Sequence, residues 1–237
     1  MYGLENKIAL ITGGSRGIGL ATAKELMACG AKAVVLHKDN SIKADGAFAK
    51  ELIADISNEA QVKAAVDSVV AEFGRIDILV NNAGIAIDRD FESRSADDWR
   101  KTLCTNLVGT WLMSKYASEN MLLHKSGKIV NVISSNWLDE GTPDSIDYYA
   151  SKAGIADMTR NLARKFAPFI NVNNVALGWV DTEMNGGLPD DYAEKIKSQI
   201  WLGRWARPSE VAKPIRFLCS DDADYITGTT LTIDGGH

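Results

Sequence analysis

The sequence predicts an α/β fold built on a doubly wound parallel sheet. Short apolar runs recur along the chain, and longer amphipathic segments such as 60–73 and 149–166 separate most of them; the runs are residues 8–11, 33–36, 76–80, 128–133, 170–176 and 229–233. The runs are continuous rather than alternating, which is typical of strands buried on both faces of a parallel sheet. Strands that alternate with crossover helices form βαβ units. No linker-like composition interrupts the pattern, so we expect a single domain over residues 1–237.

The composition is that of a globular protein without nucleic-acid partners. Hydrophobic residues make up 46% of the chain and charged residues 24%, which leaves ample apolar material for a core. The net charge of −5 argues against nucleic acids and acidic membranes as partners, since both require clustered lysine and arginine. No apolar run approaches the ~18 residues of a membrane span, and no signal peptide is recognisable before the first strand. We therefore expect a cytoplasmic protein, and the scattered cysteines and histidines predict no metal site.

A glycine-rich turn follows the first strand. It reads Thr12-Gly13-Gly14-Ser15-Arg16-Gly17-Ile18-Gly19 and leads into a helical segment. Glycines let the backbone turn tightly and approach a pyrophosphate, while the helix N-terminus offers free N–H groups to the phosphates. The spacing G-x-x-x-G-x-G differs from the common G-x-G-x-x-G dinucleotide fingerprint. The turn is a candidate phosphate site, and a βα turn without a ligand is the alternative.

The end of the second strand bears on the choice of cofactor. It reads Leu36-His37-Lys38-Asp39. An acidic residue at this point binds the ribose 2′-hydroxyl of NAD, whereas Lys38, together with Arg16 and His37, would attract the 2′-phosphate of NADP. We expect NADP(H) to be favoured over NAD(H). The alternative is that Lys38 is a solvated surface charge and Asp39 is the ribose ligand.

The next crossover is poor in helix-forming residues. Residues 37–55 read HKDNSIKADGAFAKELIAD and have to hold a turn, a crossover and the approach to the third strand. The stretch DNSIKADG disfavours a helix because Asp, Asn and Gly have low helix propensity. The sequence therefore predicts a shortened or missing helix here.

Three further motifs follow the glycine turn in order. They are Asn81-Asn82-Ala83-Gly84 after the fourth strand, Ser134-Ser135 after the fifth, and Tyr148-x-x-x-Lys152 at the start of the next helix. With the glycine turn, they closely resemble the motifs of the short-chain dehydrogenase/reductase family in its single-domain form. The resemblance extends to the terminal YITGTTLTIDGG. It implies a Rossmann-type sheet of about seven strands with helices on both faces, and hydride transfer between a nicotinamide cofactor and a carbonyl or secondary alcohol.

The Tyr148-x-x-x-Lys152 motif suits proton transfer. A tyrosine with a pKa of about 10 exchanges protons poorly near neutrality. Lys152 lies four residues after Tyr148 on the same helix face, where its charge would favour the tyrosinate. Tyr149 is almost as close by helical geometry, but the motif and the thirteen-residue step from Ser135 both select Tyr148.

The resemblance also assigns roles around the reaction centre. It implies that Ser135 holds the substrate oxygen, that Asn106 completes a catalytic tetrad with Ser135, Tyr148 and Lys152, and that Lys152 also reaches the nicotinamide ribose. The cofactor contacts it implies, in addition to Tyr148 and Lys152, are Gly13, Ser15, Arg16, Gly17, Ile18, Gly19, Asp55, Ile56, Asn82, Ala83, Gly84, Gly178, Val180 and Thr182. Leu177 replaces the usual proline of the family at that position, which removes a fixed φ.

The family encloses its substrate with the segment after Thr182. We expect a lid at about residues 183–205, hinged at Gly186-Gly187, with a helix from about Asp190. Trp137 and Trp179 are candidate substrate contacts because indoles bind apolar or ring substrates, and packing in the core or at a subunit contact is an equal alternative for these tryptophans.

The motifs indicate the substrate and the subunit assembly less directly than the reaction. The resemblance implies a small-molecule substrate, either a 3-oxoacyl thioester or, alternatively, a free ketone, sugar or cyclic alcohol. Reductases of carrier-bound substrates typically have basic residues where this chain has Ser126 and Pro168-Phe169, which argues against carrier docking. The family's usual homotetramer, built on the helices starting near Thr110 and Tyr149 and on the C-terminal strand, is expected. A dinucleotide-binding sensor without turnover is the alternative function, although such proteins usually lack the tyrosine or the lysine.

Overall fold

The strands of the protein lie side by side in one parallel sheet. In a computed structural model, residues 2–39, 46–135 and 143–236 are described. These residues form strands β1 (Ile8–Thr12), β2 (Lys32–His37), β3 (Lys50–Ile53), β4 (Ile78–Asn81), β5 (Gly127–Ser134), β6 (Ile170–Leu177) and β7 (Thr230–Ile233). Every pairing among them is parallel, and the order is β3-β2-β1-β4-β5-β6-β7. The predicted doubly wound parallel sheet is confirmed.

Helices cover both faces of the sheet. They are α1 (Gly17–Ala28), α2 (Glu59–Phe73), α3 (Ala96–Leu103), α4 (Gly109–Leu123), α5 (Ile146–Phe166), α6 (Asp190–Gln199) and α7 (Pro208–Cys219), and a π-helical turn, Cys104–Val108, joins α3 to α4. Successive residues of a strand point to opposite faces. Accordingly, Ile8 and Leu10 pack with α2, α4 and α5, whereas Ala9 and Ile11 pack with α1 and α7. Burial on both faces explains why the strands read as continuous apolar runs.

Local capping signals define the ends of α2. The side chain of Asn58 accepts a hydrogen bond from the backbone N–H of Gln61, and the helix ends at Gly74 in the left-handed region with φ +78°. Asparagine is a favoured N-cap, and glycine adopts a positive φ without a side-chain clash. The helix predicted at residues 60–73 is therefore present with a start one residue earlier.

The crossover from β2 to β3 contains no helix in its described residues, 38–39 and 46–49. Residues 40–45 lie outside the described part of the chain. The side chain of Phe48 packs, partly buried, against the core beneath α1 and α7. β3 still pairs in parallel with β2, with Leu52 opposite Leu36. Most of the DNSIKADG stretch on which the prediction of a shortened or missing helix rests thus lies outside the described residues.

The described residues lack two further kinds of feature. None of the helices there is long and apolar enough to cross a membrane. The same residues contain no cluster of His, Cys, Asp and Glu that could hold a metal ion.

Candidate active site

The candidate site lies at the carboxyl edge of the sheet, where the strand order reverses. β1 is flanked by β2 on one side and β4 on the other, so the crossovers that leave β1 and β4 run in opposite directions. Open α/β sheets bind ligands in the crevice at this switch point. The glycine turn after β1, the Asn82-Ala83-Gly84 segment after β4, Ser135 after β5 and Gly178 after β6 all lie along this edge.

The glycine turn has a shape that side chains would prevent. Gly13 and Gly17 have φ of +64° and +53°. A Cβ on Gly13 would lie 2.8 Å from Asn82 Nδ2, and one on Gly19 would lie 2.2 Å from the Gly13 carbonyl oxygen. Arg16, the N-cap residue of α1, makes no side-chain capping bond. The N-terminus of α1 therefore leaves N–H groups available to an anion.

Thr12 and Asn82 fasten the glycine turn to the end of β4. The Thr12 hydroxyl accepts hydrogen bonds from the backbone N–H groups of Asn82 and Ala83, both at 3.0 Å. Asn82 Nδ2 donates to the carbonyl oxygens of Thr12 and Gly13 at 3.1 and 3.2 Å. Asn82 therefore shapes the turn. Thr12 was not among the sequence candidates, although its position just before the first glycine was the available signal.

Asn106 is fully buried in the π-helical turn between α3 and α4. Its Oδ1 accepts a hydrogen bond from the Ile85 N–H at 2.8 Å, while its Nδ2 donates to the Ile85 carbonyl at 2.9 Å and to the Ser151 hydroxyl at 3.0 Å. π-Helical turns occur frequently at functional sites. The side chain therefore joins the segment after β4 to α5, the helix that carries Tyr148.

Lys152 is buried beside Tyr148. Its Nζ donates to the Val132 carbonyl at 2.9 Å and lies 5.4 Å from the centre of the Tyr148 ring. A Cβ on Gly84 would lie 3.6 Å from this Nζ, so the chain passes close to the ammonium. Burial lowers the pKa of Lys152 to about 8, because the charged form loses hydration. Asn106, Tyr148 and Lys152, the sequence candidates for catalysis at this edge, are named the catalytic wall.

Tyr148 differs from the sequence expectation in its pKa. Burial raises the pKa of Tyr148 above its usual value, and the neighbouring Tyr149 and Asp88 raise it further. The groups that shift the pKa of Tyr148 all raise it, so the expected lowering by Lys152 is not found; the Lys152 ammonium is directed at the Val132 carbonyl. The Tyr148 and Tyr149 rings meet edge to face with centres 5.4 Å apart.

Ser135 lies at the end of β5, half-buried. Its hydroxyl donates to the Leu177 carbonyl of β6 at 3.2 Å. Ser135 is thus held at the same sheet edge as the catalytic wall. The other substrate candidate of this segment, Trp137, lies outside the described residues.

Two cations expected to bind a 2′-phosphate are exposed and paired. Lys38 is 74% exposed, and its Nζ lies 2.6 Å from Asp55 Oδ2. Arg16 is 59% exposed, and its Nη1 lies 2.9 Å from Glu183 Oε2. Burial works against the ionisation of Asp55, but hydrogen bonds from Lys38 and Ser57 prevail and lower its pKa. Lys38, Asp55 and Arg16, the candidates for contacts with the adenosine half of a cofactor, are named the adenosine side.

His37 is placed differently from the other phosphate candidates. It is buried, with Nε2 2.6 Å from Glu51 Oε1 and Nδ1 2.9 Å from the Asp39 carbonyl. Both ring nitrogens are therefore engaged within the β2–β3 region.

The remaining cofactor candidates divide between core and cleft. The Ile56 side chain is buried in the core, where it leaves no room for a Cβ on Gly109, at 2.8 Å. Thr182 faces the glycine turn, since its Cγ2 would lie 3.4 Å from a Cβ on Gly17. Val180 is buried and bridges to Ala206. Within the glycine turn, the candidates Ser15 and Ile18 are half-buried.

Two indoles stack beside the segment after β6. The rings of Trp179 and Trp205 are 5.9 Å apart and nearly parallel, and the Lys197 ammonium lies 5.5 Å from the Trp205 ring. Lys197 belongs to α6, which begins at Asp190 as predicted. Trp201, by contrast, is 89% exposed.

The sequence of the chain is similar to those of known proteins. Residues 13–237 match the family model described as enoyl-(acyl carrier protein) reductase. The chain is 39% identical over 247 residues to a 3-oxoacyl-(acyl-carrier-protein) reductase of Synechocystis sp., covering 100% of this chain and 98% of the relative. It is 39% identical over 238 residues to the enzyme of the same name from Salmonella typhimurium, covering 98% and 97%.

Two solved structures superpose on nearly the whole chain. The ligand-free aldohexose dehydrogenase of Thermoplasma acidophilum has a TM-score of 0.92 at 31% identity and covers 100% of this chain and 96% of its own. A blue fluorescent protein from a metagenomic library, solved in complex with NADPH, has a TM-score of 0.91 at 31% identity and covers 99% and 98%. With the family model and the curated relatives, these likenesses show that the chain belongs to the short-chain dehydrogenase/reductase family of oxidoreductases.

Proposed function

We propose that the protein transfers a hydride between NADP(H) and a carbonyl or secondary alcohol, with Tyr148 as the general acid or base. The observation that carries the proposal is the catalytic wall itself. Asn106, Tyr148 and Lys152 are brought together at the switch point of the sheet, next to a glycine turn shaped by positive φ angles.

The residues of the crevice fit a dinucleotide. The glycine turn packs so closely against its own backbone and Asn82 that Cβ atoms on Gly13 and Gly19 would clash, and the N-terminus of α1 follows it without a capping side chain from Arg16. Lys38 supplies an exposed positive charge at the end of β2. When bound, the nicotinamide would supply or accept the hydride.

The proton chemistry falls to the chain's own residues. In the reductive direction, the Tyr148 hydroxyl donates its proton to the carbonyl oxygen as the carbonyl carbon gains a hydride, so the product is an alcohol. Lys152, with its pKa lowered by burial to about 8, can exchange a proton near neutral pH and restore the phenol. Ser135 would orient the substrate oxygen, and Asn106 holds the backbone around the site through Ile85.

The preference for NADP(H) over NAD(H) is supported by the charges of the adenosine side. A 2′-phosphate near Lys38 would compete with Asp55 for the ammonium, and Arg16 would contribute a second positive charge from the glycine turn. The NADPH complex of the blue fluorescent protein shows that a similar chain binds this cofactor.

Two substrate classes follow from different observations. The curated relatives named 3-oxoacyl-(acyl-carrier-protein) reductase favour a 3-oxoacyl thioester. The likeness to an aldohexose dehydrogenase and the stacked Trp179 and Trp205 favour a free sugar or a cyclic alcohol under a lid at residues 183–205.

A panel of substrates assayed by nicotinamide absorbance tests the proposal. Acetoacetyl thioesters, free ketones, cyclic alcohols and aldohexoses would each be tried with both cofactors in both directions. We expect turnover with one class and a lower KM for the phosphorylated cofactor. Tight cofactor binding without turnover of any of these substrates would favour the alternative of a sensor.

We also propose that the protein is a homotetramer and is located in the cytoplasm. Val108 and Trp111, on the outer side of the π-turn and α4, are 39% and 42% exposed, which suits a subunit contact. Light scattering should give a mass about four times 25.7 kDa. The mass of a monomer would contradict the assembly.

A further inference from the structure

Arg94 connects the segment after β4 to the start of α5. Its guanidinium donates to the Asp147 carboxylate, to the Ile87 and Arg89 carbonyls at 2.8 and 2.9 Å, and to the Asp144 carbonyl. The Arg94 and Asp147 side chains are 2% and 0% exposed. One planar cation thus joins three backbone carbonyls and one carboxylate from two parts of the chain.

Two other contacts fasten the same two segments together. The Arg89 N–H donates to the Asp144 carbonyl at 3.1 Å, and the Ser145 hydroxyl donates to Asp88 Oδ1 at 2.5 Å. Asp88 lies near enough to Tyr148 to raise its pKa. The segment after β4 and the first turn of α5 therefore form one unit around Tyr148.

The Arg94–Asp147 pair is poorly suited to stabilising the fold. Arg94 Nε and Asp147 Oδ2 are buried, and neither has a hydrogen-bond partner within the described ranges. A buried ion pair recovers its desolvation cost only when its remaining donors and acceptors are also satisfied, and apolar residues of similar volume often stabilise a fold as well or better. Stability alone does not account for this pair.

We propose that Arg94 and Asp147 are positioning residues that hold Tyr148 in its reactive place. Asp147 directly precedes Tyr148, so any rotation of the first turn of α5 moves the phenol. The fork of donors on Arg94 fixes that turn against the segment that begins at Ile85, which Asn106 holds from the other end. This inference rests on the proposed function because it concerns the same site.

The double variant Arg94→Met/Asp147→Leu tests the proposal most directly. Removal of both charges leaves no unpaired ion, so we expect the fold to be retained, with a lower melting temperature because the Ile87, Arg89 and Asp144 carbonyls lose a donor. A misplacement of the phenol by ~1 Å lowers kcat by about 100-fold. We expect this loss in kcat while the NADPH dissociation constant and the substrate KM stay within about twofold, since neither residue is assigned to cofactor binding.

The near-isosteric variant Asp147→Asn and a surface control complete the kinetic test. Asp147→Asn keeps an oxygen acceptor for Arg94 but removes the charge, so kcat should fall by about tenfold without a change in KM. The control, Arg100→Met, removes the cation of the exposed Arg100–Asp97 pair on α3 and should leave kcat unchanged. If the double variant does not fold, Asp147→Asn decides: wild-type kcat in either folded variant overturns the proposal.

Hydrogen exchange separates this inference from the proposed function. In Asp147→Asn, amides in the first turn of α5 and in residues 86–94 should exchange faster than in the wild type, while those of α7 should be unchanged. Unchanged exchange in both segments would overturn the positioning role even in a protein with no detectable turnover. Absence of turnover in the wild type with every substrate would contradict the proposed function alone.

Discussion

The catalytic wall and the adenosine side of the cleft are held by different interactions. Asn106 and Lys152 are 0% and 5% exposed, and both hydrogen-bond to the backbone, at Ile85 and Val132. On the adenosine side, Lys38 is 74% exposed and is held by an ion pair with Asp55. One part of the site is therefore built into the core, and the other lies on the surface.

The difference suits the proposed roles of the two parts. Proton transfer requires groups held in a fixed geometry, and buried hydrogen bonds provide it before a substrate arrives. Exposed ion pairs contribute little stability and are screened by salt, so they can be exchanged for a phosphate at low cost. Changes on the adenosine side should therefore alter cofactor preference by small factors, while changes in the catalytic wall should remove turnover.

The largest effect is expected for Tyr148→Phe. Loss of the hydroxyl removes the general acid, so kcat should fall by about 10²–10⁴-fold while the NADPH dissociation constant is retained. Single-turnover absorbance and cofactor fluorescence measure the two quantities. The matched control is Tyr149→Phe, which removes the hydroxyl of the tyrosine that packs edge to face against Tyr148. An equal loss of kcat in the control would show that the motif register selects the wrong tyrosine.

A large effect on stability is expected for Lys152→Met. Below pH 8 the folded wild type keeps an ammonium in a dehydrated site, because burial lowers the pKa of Lys152 from 10.5 to about 8. The variant removes this dehydration cost but also loses the hydrogen bond to Val132. Its free energy of unfolding at neutral pH should therefore exceed that of the wild type by about 2 kcal/mol, although the variant should be inactive.

The stability difference between the wild type and Lys152→Met should depend on pH. Between about pH 8 and 10.5 the unfolded state binds more protons than the folded state, so wild-type stability rises with pH relative to the variant. Urea unfolding at several pH values should show the advantage of the variant shrinking across that window. A variant that is less stable than the wild type at neutral pH would contradict the prediction.

A smaller effect is expected for Lys38→Ala on the adenosine side. Removal of the cation should raise the KM for NADPH by about tenfold, leave the KM for NADH nearly unchanged, and matter less at high salt. Lys63→Ala, which breaks the exposed Lys63–Asp67 pair on α2, is the control. Equal changes for both cofactors would remove Lys38 as a 2′-phosphate ligand.

The smallest effect is expected for Glu183→Gln. The change releases Arg16 from its exposed ion pair, so the KM for NADPH should fall by less than about fivefold. Glu194→Gln, at the exposed Lys197–Glu194 pair of α6, should have no effect. A higher KM in Glu183→Gln would mean that the pair orders the glycine turn instead of competing with the cofactor.

Local patterns were sufficient to predict most elements of the fold. Continuous apolar runs predicted buried parallel strands, and the N-cap Asn58 and the terminal Gly74 explain the bounds of α2. These features depend on neighbours in sequence, which the sequence displays directly.

The sequence by itself determined the fold class, the glycine turn and the choice of Tyr148 over Tyr149 as the expected acid. Only the tertiary structure decided that burial raises the pKa of Tyr148, that His37 is engaged by Glu51, and that Arg94 pairs with Asp147. The reason is physical: hydration and ion pairing depend on what packs around a side chain. Arg94 and Asp147 are 53 residues apart in the chain, and only the packing of α5 against the segment after β4 brings them into contact.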